Sequence, residues 1–210
     1  MTPREVLAIR FQTPDLFTLH VARAGMAFTP GDCVALFNDR GDSRPYSIAS
    51  GTHDDHLEFL IRRMPGGEVT SWLANLRPGD ALNISQPFGW FRPGPGTFIA
   101  TGVGIAPFLS VLRSNQEIRP TCLYGLRHVQ DALHLDLLHQ HTNLHLAVSR
   151  EAAPNTHHGR ITDLLEKIPA APNASYYLCG LDAMITDVST YLATRGIPPA
   201  HIHREVFFHA

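Results

Sequence analysis

The sequence predicts two domains of different build: an antiparallel β-barrel over residues 1–93, then an α/β domain with a parallel sheet over residues 97–210. Three observations predict it. Up to residue 91, apolar residues fall in short alternating runs separated by Pro, Gly and Asp. After residue 96, short apolar runs alternate with stretches of helical period. Between them, "RPGPG" at 92–96 is a stiff connector poor in backbone donors.

In the first half, "EVLAIRF", "FTLHVA", "DCVALF" and "LEFLIRR" read as strands, bounded by the turn signals "TPD", "TPGD" and "RPGD". "RPYSIAS" at 44–50 reads as a further strand, with small and polar residues where Val or Ile would be expected. One helix, "EVTSWLANL", is entered from "PGG" at 65–67. In the second half, "TFIAT", "TCLYG", "LHLAVS" and "SYYLCG" read as strands. They are followed by the helix-like "APFLSVLRSN", "QDALHLDLLHQH", "RITDLLEKI" and "LDAMITDVSTYLATRG", and "IHREVFF" is a last strand. Strands that alternate with helices imply a parallel sheet covered on both faces.

The 210 residues are 44% hydrophobic, enough for one large or two small cores, and the net charge of −2 disfavours nucleic acid as a partner. No apolar run is long enough to span a membrane, and the N-terminus lacks the apolar core of a secretory signal. Cys33, Cys122 and Cys179 are far apart and form neither a CxxC pair nor an iron–sulfur spacing, which fits a reducing cytoplasm. The 13 histidines include no HExxH pair. The clusters at 139–141 and 157–159 read as solvated surface, and no metal site is expected.

Several stretches point to ligands. "ATGVGIAP" at 100–107 joins a strand to a helix, with Gly102 and Gly104 lacking side chains where a backbone approaches a phosphate; a tight structural turn fits the same residues. "VSRE" at 148–151 ends a strand, and Ser149, Arg150 and Arg160 could grip a phosphate or simply line the surface. Cys179, at the end of "YYLCG", falls where sheet ligands bind, although a lone strand Cys is commonly a small buried hydrophobe. The amides of Gly67, Glu68 and Val69, with the Thr70 hydroxyl, could face an anion or form a plain helix cap.

Taken together, "RPYSIAS", "PGGEVTSWL", "QPFG", "ATGVGIAPFLSVL", "VSRE", "YLCGLDAM" and "EVFF" occur in the order found in the ferredoxin–NADP reductase superfamily. The chain resembles a compact bacterial-type member over roughly residues 5–208. The resemblance implies an FAD-binding barrel and a nicotinamide-binding α/β domain. It implies that Arg44 pairs with the FAD pyrophosphate, Tyr46 packs on the isoalloxazine, and Ser47 hydrogen-bonds near flavin N5. Ile48, Ala49 and Ser50 would pass the flavin edge as backbone donors and acceptors. Gly67, Val69 and Thr70 would supply a second phosphate contact.

In the second domain, Thr101, Gly102 and Gly104 resemble the nicotinamide–pyrophosphate loop, and Cys179 and Gly180 the pair beside the nicotinamide. Ser149, Arg150 and Arg160 match positions that hold the 2′-phosphate in NADPH-using relatives. Glu205 would tune charge or relay protons, and Phe207 would cover the flavin. Ser47, Cys179 and Glu205 are therefore the implied catalytic set. The implied activity is electron transfer from NADPH (NADH being possible) through FAD to a separate carrier such as ferredoxin or flavodoxin. A reductase component of an oxygenase, a ferric-chelate reductase and a slow-turnover flavin-binding regulatory subunit are the alternatives.

Overall fold

A computed structural model describes residues 1–206 except 169, 170 and 172. Phe207 lies outside the described residues. The chain divides into two units, Met1–Arg92 together with Ala106–Ser114, and Pro93–Ile105 together with the chain from Asn115 onward. The helix at 106–114 thus counts with the first unit, whereas the division read from the sequence assigns it to the second.

The first unit holds β1 (Thr2–Thr13), β2 (Leu16–Ala22), β3 (Cys33–Phe37), β4 (Ser43–Ser47), β5 (His56–Arg62), the short helix α1 (Glu68–Leu73) and β6 (Ala81–Ile84). They form one antiparallel sheet in the order β4-β3-β6-β1-β2-β5. The sheet curls back on itself just past β4, where the Ala49 N–H donates to the Glu58 carbonyl of β5 at 2.8 Å. Phe17, Leu19 and Val21 on β2 and Leu57, Phe59 and Ile61 on β5 alternate into one core. That period of two is what a strand with one buried face requires.

The helix α2 (Ala106–Ser114) packs on this unit, buried from Ala106 to Leu112. It is tied to the segment that follows β4. Ser110 Oγ donates to the Ser50 carbonyl at 2.8 Å, and Arg113 Nη1 donates to the Ala49 carbonyl at 2.9 Å. The Thr52 N–H donates to Ser114 Oγ at 2.9 Å. No side chain fits at Gly51, because a Cβ there would stand 2.9 Å from Arg113 Cβ.

The second unit contains β7 (Thr97–Thr101), β8 (Thr121–Leu126), α3 (Leu135–His141), β9 (Asn143–Val148), β10 (His157–His158), β11 (Tyr176–Gly180), α4 (Asp182–Thr194) and β12 (Ile202–Val206). Its six strands are all parallel, in the order β10-β9-β8-β7-β11-β12. The chain works outward from β7 through β8, β9 and β10, then returns to β11 on the other side of β7. The direction of winding therefore switches between β7 and β11, and the crevice outside their carboxyl ends is where such sheets bind ligands.

Two helical expectations are altered. "QDALHLDLLHQH" forms α-helix only over Leu135–His141, and "RITDLLEKI" forms a 3-10 helix, Ile161–Lys167. The latter ends at Ile168 in extended conformation. Pro169 follows it in the sequence, and a residue before proline is disfavoured in the α region.

Candidate functional site

Strand β4 pairs with β3 in a register that sets Ser47 opposite Cys33 and Tyr46 opposite Val34. Ser47 is only 3% exposed, and its Oγ lies 3.5 Å from Cys33 Sγ. Burial pushes the Tyr46 hydroxyl well above the ordinary phenol range. Its Oη is buried and has no hydrogen-bond partner among the described residues. A buried hydroxyl left unpaired costs about 1–3 kcal/mol, so such a group marks a place where a partner from outside the chain belongs. Arg44 is exposed, and its Nη1 donates to the neighbouring Ser43 carbonyl at 2.8 Å. An exposed cation, an aromatic ring with an orphaned hydroxyl and a buried hydroxyl thus share five residues of one strand. This set suits a ligand with an anionic end and a polar aromatic end, and FAD is such a ligand.

The residues after β4 do more for the protein than the resemblance implies. The Ile48 N–H donates to the Asp32 carbonyl at 3.0 Å, Ala49 uses both its N–H and its carbonyl, and Ser50 Oγ accepts from the Glu58 N–H at 3.1 Å. These groups hold the barrel closed. Arg113 also pairs with Glu58 at 2.9 Å, and Arg92 pairs with Asp32 at 2.7 Å. Both pairs brace this segment, yet no local pattern in the sequence marks them.

At the turn before α1, Gly67 is the N-cap and Val69 is buried. Thr70 Oγ1 accepts from the Met64 N–H at 3.2 Å and donates to the Gly67 carbonyl at 3.3 Å. Its proton therefore holds the turn together, so Thr70 shapes this loop.

In the second unit, the loop after β7 is a 3-10 turn, Gly102–Ile105. Thr101 Oγ1 accepts from the Leu181 N–H at 2.8 Å. The two glycines differ in purpose. A Cβ on Gly104 would collide with the Cys179 carbonyl of β11, so Gly104 is needed for packing within the protein. Gly102 has φ +55° and open space where a side chain would stand, so it leaves its backbone accessible. Gly180, at φ +137°, lies against Thr101 so closely that a side chain would strike its hydroxyl.

Cys179 is fully buried, and the parallel register sets it between Ala100 on β7 and Glu205 on β12. Cys179 and Glu205 are 26 positions apart in the sequence and adjacent in the sheet. Ser149 and Arg150, just after β9, and Arg160, just after β10, are all exposed. Ser149 Oγ donates to the Leu126 carbonyl at 3.2 Å, which leaves it an acceptor toward any ligand. Glu151 is turned to the Val129 N–H at 2.6 Å and to His128, contacts that lower its carboxyl below the ordinary range. Asp163 binds His157 at 3.2 Å and the Arg160 N–H at 2.8 Å, and these hold its carboxyl low, His157 foremost. Glu151 is thus engaged chiefly by Val129 and His128, while Asp163, held first by His157, also feels the charge of Arg160.

Residues 13–92 match the oxidoreductase FAD-binding domain family, and residues 98–190 match the oxidoreductase NAD-binding domain family. A flavin- and nicotinamide-binding oxidoreductase is the class that this fold and these sites define. The chain is 34% identical to the ferredoxin–NAD(P)(+) reductase component of the naphthalene 1,2-dioxygenase/salicylate 5-hydroxylase systems of a Ralstonia species, over 97% of this chain and 68% of that protein. It is 30% identical to ferredoxin–NADP reductase A of Sorangium cellulosum, over 93% of this chain and 84% of that protein. Its fold superposes with a TM-score of 0.89 on the crystal structure of a ferredoxin NADP+ reductase from Neisseria gonorrhoeae with bound FAD and NADP, at 22% identity and 97% coverage of each chain. The chain belongs to the ferredoxin reductase family of FAD- and NAD(P)-binding oxidoreductases.

Proposed function

We propose that the protein takes electrons from NADPH through FAD and passes them to a separate one-electron carrier protein of the ferredoxin or flavodoxin kind. One observation carries this reading: β4 offers Arg44, the orphaned Tyr46 hydroxyl and the buried Ser47 hydroxyl together. When bound, FAD accepts electrons in a pair from the nicotinamide and releases them singly.

The protein's own residues bind and orient. Arg44 supplies charge for a pyrophosphate, and Tyr46 supplies an aromatic face whose hydroxyl awaits a partner. Ser47, held beside Cys33, presents a hydroxyl where a reacting ring nitrogen would lie. In the second unit, Thr101, Gly102 and Gly180 shape the loop that receives a nicotinamide nucleotide. Cys179 and Glu205, side by side on β11 and β12, are the thiol and carboxylate assigned to positioning the nicotinamide and handling a proton. Arg150 and Arg160 are assigned to the 2′-phosphate, which gives NADPH the advantage over NADH.

The carrier extends to the iron–sulfur partners of an oxygenase, since the Ralstonia relative is named as the reductase component of such systems. The three cysteines, all buried and far apart in the sequence, fit a reducing compartment such as the cytoplasm. Among the described residues, no helix is long and apolar enough to cross a membrane.

Anaerobic stopped-flow mixing of the FAD-loaded protein with NADPH tests the reading. The flavin absorbance should bleach within seconds, and cytochrome c should then be reduced rapidly only when a ferredoxin or flavodoxin is added. A flavin that stays oxidised would instead mark a flavin-binding module without turnover.

A further inference from the structure

A second cluster lies on the outer face of the barrel. β2 and β5 are antiparallel neighbours in a register that sets His20 opposite Glu58 and Ala22 opposite His56. Leu19, Val21, Leu57 and Phe59 face the core, so alternation turns His20, His56 and Glu58 onto the opposite face together. His20 and His56 become diagonal neighbours with ring centroids 5.0 Å apart. One donor atom from each of the three residues lies within 4.8 Å of the other two.

Each of the three also has an outer partner. Asp55 Oδ1 is 2.9 Å from His56 Nδ1, Thr18 Oγ1 is 3.2 Å from His20 Nε2, and Arg113 Nη1 donates to Glu58 Oε2 at 2.9 Å. Metal centres are built in this manner. The Asp55 carboxylate accepts from His56 Nδ1–H and so leaves a lone pair on Nε2, the Thr18 hydroxyl can donate to or accept from His20, and the bonded Glu58 carboxylate is held in one orientation.

We infer that His20, His56 and Glu58 form a binding site for a divalent transition-metal ion of the zinc type. Two imidazoles and one carboxylate suit zinc and its neighbours, whereas calcium and magnesium require shells of oxygen. Three protein ligands leave a fourth position for water. Ligand atoms around tetrahedral zinc stand roughly 3.4 Å apart, given bonds of about 2.1 Å, so the cluster contracts by up to about 1.4 Å on binding. His56, with 27% of its side chain exposed, has room to turn. The positive charge of Arg113 opposes the incoming ion, so binding is weaker than at a closed four-ligand site. The inference does not depend on the redox reading, because none of the three residues belongs to the proposed cofactor sites.

The test uses untagged, FAD-loaded protein, freed of metal with a chelator and titrated with Zn2+ by calorimetry, the bound metal being counted by mass spectrometry. One zinc per chain is expected. His56→Gln should weaken binding by at least about 100-fold. Asp55→Asn, whose side chain is 99% exposed and so lies outside the core, should weaken it about tenfold. The double variant His157→Gln, His158→Gln should bind as the unaltered protein does. Flavin absorbance verifies that each variant is folded. Less than one zinc per chain, equal affinity in His56→Gln, or loss of the site in the 157/158 variant would overturn the assignment.

Discussion

The two units place polar groups for their ligands in opposite ways. In the first, the proposed binding groups sit on a strand: Ser47 is buried against Cys33, the Tyr46 hydroxyl is buried and unpartnered among the described residues, and the next residues are clamped by Glu58, Ser110 and Arg113. In the second, they sit on loops that follow β7, β9 and β10, where Gly102 faces open space and Ser149, Arg150 and Arg160 are exposed. Buried, pre-positioned groups lose little entropy on binding and interact in a low dielectric. Exposed arginines must be ordered on each encounter and are screened by salt. The first arrangement suits a cofactor that stays, and the second a nucleotide that comes and goes.

The largest effect that sharpens this contrast is expected at Ser47. Ser47→Ala should slow flavin reduction by NADPH about 100-fold in single turnover while FAD remains bound, because the proposed role of the hydroxyl is at the reacting atoms. An unchanged rate would move the chemistry off β4.

Next in size is the second unit. The double variant Arg150→Ala, Arg160→Ala should reduce the NADPH-over-NADH ratio of kcat/KM by about 10- to 100-fold, mainly through KM. The effect should shrink as salt is raised, since both side chains are exposed. A ratio that stays constant in salt, or is unaffected by the substitutions, would remove both arginines from the 2′-phosphate.

Tyr46→Phe tests burial directly. Without FAD, the variant should be as stable as the unaltered protein or more so by about 1 kcal/mol, because an unsatisfied hydroxyl is removed. FAD affinity should fall roughly tenfold, for a hydrogen bond worth about 1.4 kcal/mol. Equilibrium unfolding and flavin titration measure the two. Equal FAD affinity would mean that another group meets that hydroxyl.

The smallest effect concerns pH in the second unit. The Asp163 carboxyl is held below its ordinary value near 3.8, chiefly by His157 and then by the Arg160 N–H. A carboxyl lowered on folding stabilises the loop fully above its unfolded value, and that contribution is lost as pH falls through the folded value. The clasp on Arg160 is therefore intact at neutral pH and released only in acid. Asp163→Asn should raise the KM for NADPH at neutral pH by a few-fold at most, because the group is exposed. A larger rise would show that the clasp, rather than Arg160 itself, organises the loop.

How far such features can be read from the chain depends on how local they are. Alternation in "FTLHVA" and "LEFLIRR" is enough to tell which residues of β2 and β5 face the core. The strand–helix rhythm after residue 96 is enough for a parallel sheet, because the connection geometry of such units leaves few choices. The β4 residues could be singled out because Arg44, Tyr46 and Ser47 fall within four positions and are odd for a strand. The loop at 101–104 was legible as a glycine-rich turn, but the purposes of its glycines were not, since β11 lies 75 residues further along.

What the sequence by itself determined is the set of local choices: strand or helix, inward or outward, turn or run. They follow from side-chain period and backbone freedom, which act over a few residues. What only the tertiary structure decided is register between distant segments. Register sets Cys179 beside Glu205, Arg113 on Ala49 and Glu58, and His20 across from Glu58 and near His56. A shift of two residues in the β2–β5 pairing would keep every apolar residue inside and still dissolve the His20–His56–Glu58 cluster. Hydrophobic pattern is indifferent to that shift; the packing of turns and of α2 against the barrel is not.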